Sequence, residues 1–301
     1  VMGGDSRERA VSLETGNACI KSLKRQGYIV QKFDPLKKFY GEIKKLKVDV
    51  IFNALHGKNG EDGNAQSYFE HLRIPYTHSG ALSSMRAMDK VISKNIFKKH
   101  KLLTPKFFVL NTSNFALKKL RQLIKKNKLN FPIVVKPSNE GSSIGVKICN
   151  NLNKLKNEIK ILKKNYLELI CESFIAGQEI QVAVLNNKSL GAIELKPKRS
   201  FYDYKAKYKK SAKTKHIMPA NLKLKKYLEV LKIAKKAHLV LKCRGITRSD
   251  FKFLNNKFYL LELNTQPGMT SLSLVPEIAR FKNISFDSLI NQILKDASIN
   301  K

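Results

Sequence analysis

Tryptophan is absent from the 301 residues, cysteine occurs only four times, and 23 acidic residues stand against 58 basic ones. The cysteines, Cys19, Cys149, Cys171 and Cys243, are scattered without a CxxC pair, which argues against a zinc site and a disulfide framework. A reducing cytoplasm is the simplest compartment. No apolar run approaches the roughly 20 residues that cross a bilayer, and no signal-peptide pattern opens the chain, so no membrane partner is expected. The opening "VMGGDSRERA" reads as the end of a strand whose front lies before Val1, so this start says little about targeting. Internal repeats and low-complexity linkers are also missing. What remains is a soluble globular chain, 43% hydrophobic, long enough for two or three domains.

A net charge of +35 invites a nucleic-acid reading, because a basic surface binds phosphate backbones through counterion release. The lysines, however, are spread over every segment, as in "LKKFYGEIKKLK", "LKKLRQLIKKNK" and "LKKYLEVLKIAKK". Lysine outnumbers arginine 48 to 10, although arginine is the better phosphate and base reader. Solvated helix faces that default to lysine account for the excess, and no nucleic-acid partner is expected.

Hydrophobic periodicity gives alternating elements. Residues 14 to 26 carry a helical pattern through Ala18, Cys19 and Leu23, and "VDVIF" reads as a buried strand. "FPIVVKPSNEGSSIGVKIC" reads as strand, Gly/Ser loop, strand. Helical stripes follow at Leu152, Leu155, Ile159 and Leu162, and at Leu224, Leu228, Leu231 and Ala234. "EIQVAVL", "SLGAIEL", "DFKFL" and "KFYLLEL" read as strands, the last two joined by the turn Asn255-Asn256. The class is α/β (α+β), with boundaries expected near residues 83 and 175.

Three constellations carry chemistry. Asp250 and Glu262 flank the Asn255-Asn256 hairpin and should be nearly opposed, with Asn264 on the same face as Glu262. Two carboxylates and an amide oxygen suit magnesium and, through it, phosphates, although solvated strand carboxylates would look the same. Lys136 ends a strand and precedes "PSNEGSSIGV", a loop able to approach phosphates through its backbone, or simply a flexible hairpin loop. It lacks the GxxxxGK[ST] order of a Walker A loop. In "ESFIAGQEIQV", Glu172 and Glu179 bracket Phe174 and Ile175, which could hold an adenine, or could be an ordinary strand with exposed glutamates.

In order along the chain, "GGDSRERAVS", "ALHGKNGEDG", "MDK", "VVKPSNEGSSIGV", "ESFIAGQE", "FYDYKAKY", "TRSD" and "LELNTQPGMTSLSLVP" closely resemble the D-alanine:D-alanine ligases of the ATP-grasp superfamily. The resemblance runs from Gly3 to about residue 295. It implies a three-domain ATP-grasp fold: a Rossmann-like α/β domain over 1–82, a small α+β domain over 83–174 and an antiparallel-sheet domain over 175–301. It implies ATP and two magnesium (or manganese) ions between the last two domains, the metals on Asp250, Glu262 and Asn264. Lys90 and Lys136 would face the nucleotide phosphates, with Ser142, Ser143, Lys207 and Leu261 also binding the nucleotide and Phe174 and Ile175 holding the adenine. Glu172 and Glu179 would contact adenine and ribose. Glu8 would grip the ammonium of the first D-alanine, with His56 nearby, while Gly268, Ser273 and Leu274 would form the pocket for the second. Arg248 would meet the oxyanion, and Glu8, Ser142 and Tyr208 would latch a lid spanning 198 to 216.

The implied reaction converts the first D-alanine to an acylphosphate with ATP, then lets the amine of the second attack it, for peptidoglycan precursor synthesis. A homodimer through the N-terminal domain is what the resemblance suggests. Ser142 belongs to this loop-locking role, because no Ser-His-acid ordering supports a nucleophile. Departures are Thr247 and Ser249 before Asp250, and Lys252 where an apolar residue commonly backs the adenine. A ligase with D-lactate or D-serine as acceptor is the alternative enzyme reading, which Tyr208 disfavours for the hydroxy acid. A charge-driven nucleic-acid binder is the non-enzyme alternative, contradicted by the dispersed lysines and the acidic site.

Overall fold

The structure, a computed structural model, describes residues 1–36, 40–113, 115–197 and 214–299. Helix α1 (Arg9–Arg25) buries Val11, Thr15, Cys19 and Leu23, spaced four apart so that they form one face. Beside it and α2 (Asn64–Leu72), extended segments run side by side. Met2 N donates to Phe33 O at 2.9 Å, Ala54 N to Val1 O at 2.8 Å, and Thr77 N to Ile51 O at 3.0 Å. The expected strand "VDVIF" is therefore present only as a single parallel bridge between Ile51 and Tyr76. Each pair of neighbouring segments shares only one or two such bonds, so the pairing around residues 51–54 is short on both sides.

Helices α3 (Ala81–Met88) and α4 (Lys90–Lys99) lead into a small antiparallel sheet of β1 (Phe107–Asn111), β2 (Ile133–Pro137), β3 (Lys147–Cys149) and β4 (Glu168–Ser173). Its spatial order is β1-β4-β2-β3. Helices α5 (Leu120–Lys126) and α6 (Leu152–Leu162) cover one face, inserting Leu120, Leu155, Ile159 and Leu162 against Ile133, Val135 and Leu169.

The larger sheet holds β5 (Gln178–Leu185), β6 (Lys188–Lys196), β7 (Lys215–Ile217), β8 (Ile246–Leu254) and β9 (Lys257–Asn264), in the order β7-β6-β5-β8-β9. Helix α7 (Leu224–Val240) packs on one face together with Ala87 and Phe97; α1, α8 (Leu274–Phe281) and α9 (Phe286–Lys295) pack on the other. Cover on both faces explains why β5 and β6 read as nearly continuous apolar runs. Their hairpins turn at Asn186-Asn187 and Asn255-Asn256, all four with φ between 47 and 62°. Asparagine tolerates this left-handed conformation, which a two-residue turn matched to strand twist requires.

The stripe expected on α7 is corrected in part. The expected Ala234 is buried and Leu231 packs against the core, but Leu224 is 73% and Leu228 48% exposed, and Val230, Ala237 and Leu241 complete the buried face. The sequence offers two competing stripes there, and the one with smaller side chains lets the helix sit closer to the sheet. Leu241→Ala should therefore cost about 2–5 kcal/mol in urea unfolding and Leu228→Ala under about 0.5 kcal/mol. Equal losses would reverse the assigned face.

Candidate active site

A β-bulge sets the centre of the site. From the two-residue turn, β8 and β9 pair Leu254 with Lys257 and Phe251 with Leu260, but the register slips after Phe251 and Asp250 faces Glu262. An uninterrupted hairpin would have set Asp250 against Leu261 and sent Glu262 to the opposite face. With Leu261 as the extra residue, Leu260 and Leu263 stay buried while Leu261 and Glu262 both open into a cleft. Arg248 pairs with Asn264 one step further. Its Nε and Nη2 donate to Asp250 at 2.8 and 3.0 Å, locking the carboxylate in place.

The cleft, about 750 Å³, lies between the two sheets. One wall is basic. Asp89 caps α4 by accepting from Val91 N and Ile92 N, which sets Lys90 at the helix start. Lys90 Nζ donates to Glu140 O at 2.5 Å and stands 3.6 Å from Glu262. Lys136 stands beside it on β2, above the loop carrying Glu140, Ser143 and Ile144. Ser142 and Ser143 hold φ values of 48 and 62°. Such left-handed serines cost on the order of 1–3 kcal/mol each, and the loop folds back on itself through hydrogen bonds from Ile144 N to Gly141 O at 3.0 Å and from Val146 N to Ser143 O at 3.3 Å.

Phe174, Ile175, Glu179 and Leu261 line the far end, with Lys252. Lys252 Nζ lies 2.6 Å from Glu179, so the residue that departs from the family pattern neutralises the acid expected at the ribose. Thr247, another departure, sits 2.8 Å from the buried His238, whose pKa burial lowers to about 4. Glu172 also lines the cleft, and its carboxylate is engaged by two lysines. One oxygen lies 2.5 Å from Lys136 and the other 2.9 Å from Lys94. Burial alone would raise the Glu172 pKa; the two ammonium groups reverse this and hold it at about 2.

A second chamber of about 530 Å³ shares Lys90 and Glu262 with the first. Glu8, Glu61, Ser142, Arg248 and Asn264 line it. Ser142 Oγ donates to Glu8 Oε1, joining the loop to the first turn of α1. His56 sits behind this wall: its Nδ1 donates to Glu61 at 3.2 Å and its Nε2 lies 3.1 Å from Thr15 Oγ1. Thr15 also accepts from Met269 N at 3.3 Å.

Gly268, Ser273 and Leu274 do not line either chamber. Gly268 packs on Ser273, whose Oγ a Cβ there would meet at 2.9 Å, and Ser273 accepts from Thr270 N. Leu274 is buried in the core with Ile278 and Leu289. Lys207, Tyr208 and most of the expected lid lie outside the described residues. The sequence reading missed Lys94, Glu61 and Thr15. Lys94 was detectable as the helical i+4 neighbour of Lys90, whereas Glu61 and Thr15 acquire meaning only through folding.

The donor set suits a hard cation. Among the described residues no three His, Cys, Asp or Glu side chains gather as a metal site, so Asp250 and Glu262 would be completed by an amide oxygen. Asn264 Oδ1 already accepts from Gln266 N at 2.7 Å, which orients it and leaves a lone pair. Two acids opposite two lysines, between antiparallel sheets, fit the ATP-grasp ligases as a class.

Comparison with known proteins narrows this class. The family described as "D-ala D-ala ligase N-terminus" matches residues 31–79, and "D-ala D-ala ligase C-terminus" matches residues 96–295. The chain is 57% identical over 299 residues to the D-alanine--D-alanine ligase of Pelagibacter ubique, covering 99% of this chain and 97% of that one. It is 41% identical over 300 residues to that of Geotalea uraniireducens, covering 99% and 94%. The crystal structure of a D-alanine--D-alanine ligase from Bacillus anthracis superposes with a TM-score of 0.87 at 35% identity, covering 98% and 95%. The same enzyme complexed with ATP gives 0.85 at 32% identity, covering 98% and 94%. The protein belongs to the D-alanine--D-alanine ligase family.

The Glu172 cluster generates an acid-stability prediction. A carboxylate with a depressed folded pKa stabilises fully above its unfolded value and loses that contribution as pH falls through the folded one. Glu172 should supply part of the stability lost between about pH 4.5 and 2. In urea titrations at several pH values, Glu172→Gln should flatten that limb relative to the parent; an unchanged slope would show that the charge is not paired.

Proposed function

We propose that this protein joins two D-alanines into D-alanyl-D-alanine at the expense of ATP, through an acylphosphate, for peptidoglycan precursor synthesis. The observation that carries this reading is the pair of chambers meeting at Lys90 and Glu262: one is lined by Lys136, Phe174, Ile175 and Glu179, the other by Glu8, Ser142 and Arg248. Phosphoryl transfer must cross such a junction, and an acylphosphate formed there already faces its acceptor.

Phe174, Ile175 and Leu261 hold the adenine, and Glu179, neutralised by Lys252, faces the ribose. Lys90 and Lys136 draw in the phosphates and offset the charge that spreads over the transferred group. Asp250, Glu262 and Asn264 would hold two magnesium or manganese ions, whose chemistry there would be further charge neutralisation at the phosphates. Glu8 takes the ammonium of the first D-alanine, leaving its carboxylate directed at the junction. His56 acts from behind, through Glu61 and Thr15. Arg248, held by Asp250, donates to the oxyanion of the tetrahedral adduct. The second D-alanine lies toward Gly268 and Ser273, while the Leu274 side chain packs in the core. Ser142, through Glu8, helps to shut the site against water, which would hydrolyse the acylphosphate; Tyr208 as the third member of that latch and Lys207 on the nucleotide are roles for residues outside the described ones.

The chain divides near residues 83 and 175, works in the cytoplasm and pairs through its N-terminal domain. No helix among the described residues is long and apolar enough to cross a membrane.

Phosphate release with magnesium and ATP should require D-alanine and yield a mass of D-alanyl-D-alanine. Release supported instead by D-alanine plus D-lactate or by D-serine would move the reading to another acceptor; none at all from folded protein would sink it. Glu262→Gln should lower turnover by at least about a hundredfold while far-UV circular dichroism is unchanged. Near-parental turnover would refute the metal assignment.

A further inference from the structure

Lys94 has no place in the cleft wall, yet it is fully buried and charged groups surround it. Its Nζ lies 2.9 Å from Glu172 Oε2 and 3.4 Å from Thr104 Oγ1, and 5.8 Å from the centroid of the Phe107 ring. Glu172 offers its other oxygen to Lys136, at 2.5 Å, and Lys136 does line the cleft. A carboxylate and a single ammonium would form a neutral pair, with the Lys136 charge cancelled before any phosphate arrived. Two ammoniums on one carboxylate leave the cluster with a net charge of +1.

We propose that Lys94 is a positioning residue for the nucleotide: by sharing Glu172, it leaves Lys136 with positive charge to spend on phosphate. The inference rests on reading the cleft as a nucleotide site. It adds the point that the phosphate lysine is only half neutralised because a second, hidden lysine holds the other half of its partner. Burial is the cost of this arrangement. It lowers the Lys94 pKa to about 8, against the pull of Glu172, so the side chain remains mainly charged at neutral pH. A lysine kept charged in a fully buried position does more than fill space, since Met would fill it without desolvating a charge.

Charge counting separates this role from simple packing. Lys94→Met leaves a neutral Glu172–Lys136 pair, and Lys94→Gln does so while keeping a hydrogen-bond donor. Combining Lys94→Met with Glu172→Gln removes one charge of each sign and returns the cluster to +1. ADP binding in magnesium would be measured by calorimetry, with thermal unfolding recorded for each variant. Each single Lys94 variant should weaken ADP by about tenfold or more. The KM for D-alanine at saturating ATP should stay within about twofold, and the double variant should regain most of the lost affinity. ADP binding within about twofold of the parent in Lys94→Met and Lys94→Gln, or a double variant weaker than Lys94→Met, would overturn the proposal. If the parent itself does not bind ADP, the nucleotide reading fails instead, and the two failures are distinct.

Discussion

One extra residue in β9 determines whether this protein has a site. Without the bulge at Leu261, the Asn255-Asn256 turn would pair Asp250 with a leucine and point Glu262 at the core behind the sheet. With it, two carboxylates stand opposite one another, an amide follows two residues on, and a leucine remains to floor the far end of the cleft. Everything facing that hairpin is arranged to balance its charge. Arg248 grips Asp250 from the same strand, Lys90 approaches Glu262 from α4, and Lys252 neutralises Glu179 from β8.

The site's electrostatics run against the composition of the chain. Seven of the 23 acidic residues line the two chambers, but only four of the 58 basic ones do, namely Lys90, Lys136, Arg248 and Lys252. The net charge of +35 is thus a property of the solvated faces and not of the chemistry, although its field would still draw anionic ligands toward the cleft. Inside, cations are rationed: each lysine near the phosphate end is tied to a carboxylate or a carbonyl. The Lys94–Glu172–Lys136 cluster is the tightest example, since a fully buried ammonium is tolerated only where a carboxylate repays part of its lost hydration.

Much was legible from local pattern. Strands β5, β6, β8 and β9, the loop after Lys136 and the α6 stripe follow from periods of two and 3.6 residues and from turn chemistry, all of which are local. The α7 stripe holds at Leu231 and Ala234 but not at Leu224 and Leu228, because two apolar faces compete at the start of the helix and only the partner surface chooses between them. The apolar run "VDVIF" reports burial, whereas the length of its pairing depends on its neighbours, and those around Val1 and around Pro75 to Thr77 are short.

The sequence by itself determined which residue types were available, and in what order: a run of eight motifs whose resemblance named a family, and acids spaced about a two-residue turn. Those properties are local or linear, so they survive reading without a fold. Tertiary structure alone decided that a bulge turns Glu262 toward Asp250. It also decided that Glu172 sits between two lysines, that His56 meets the wall of the second chamber through Glu61, and that Leu274 belongs to the core. Each of these depends on which groups share a desolvated space, and residues 36 to 254 positions apart in the chain, such as Lys136 with Glu172 or Thr15 with Met269, meet there only after the sheets have packed.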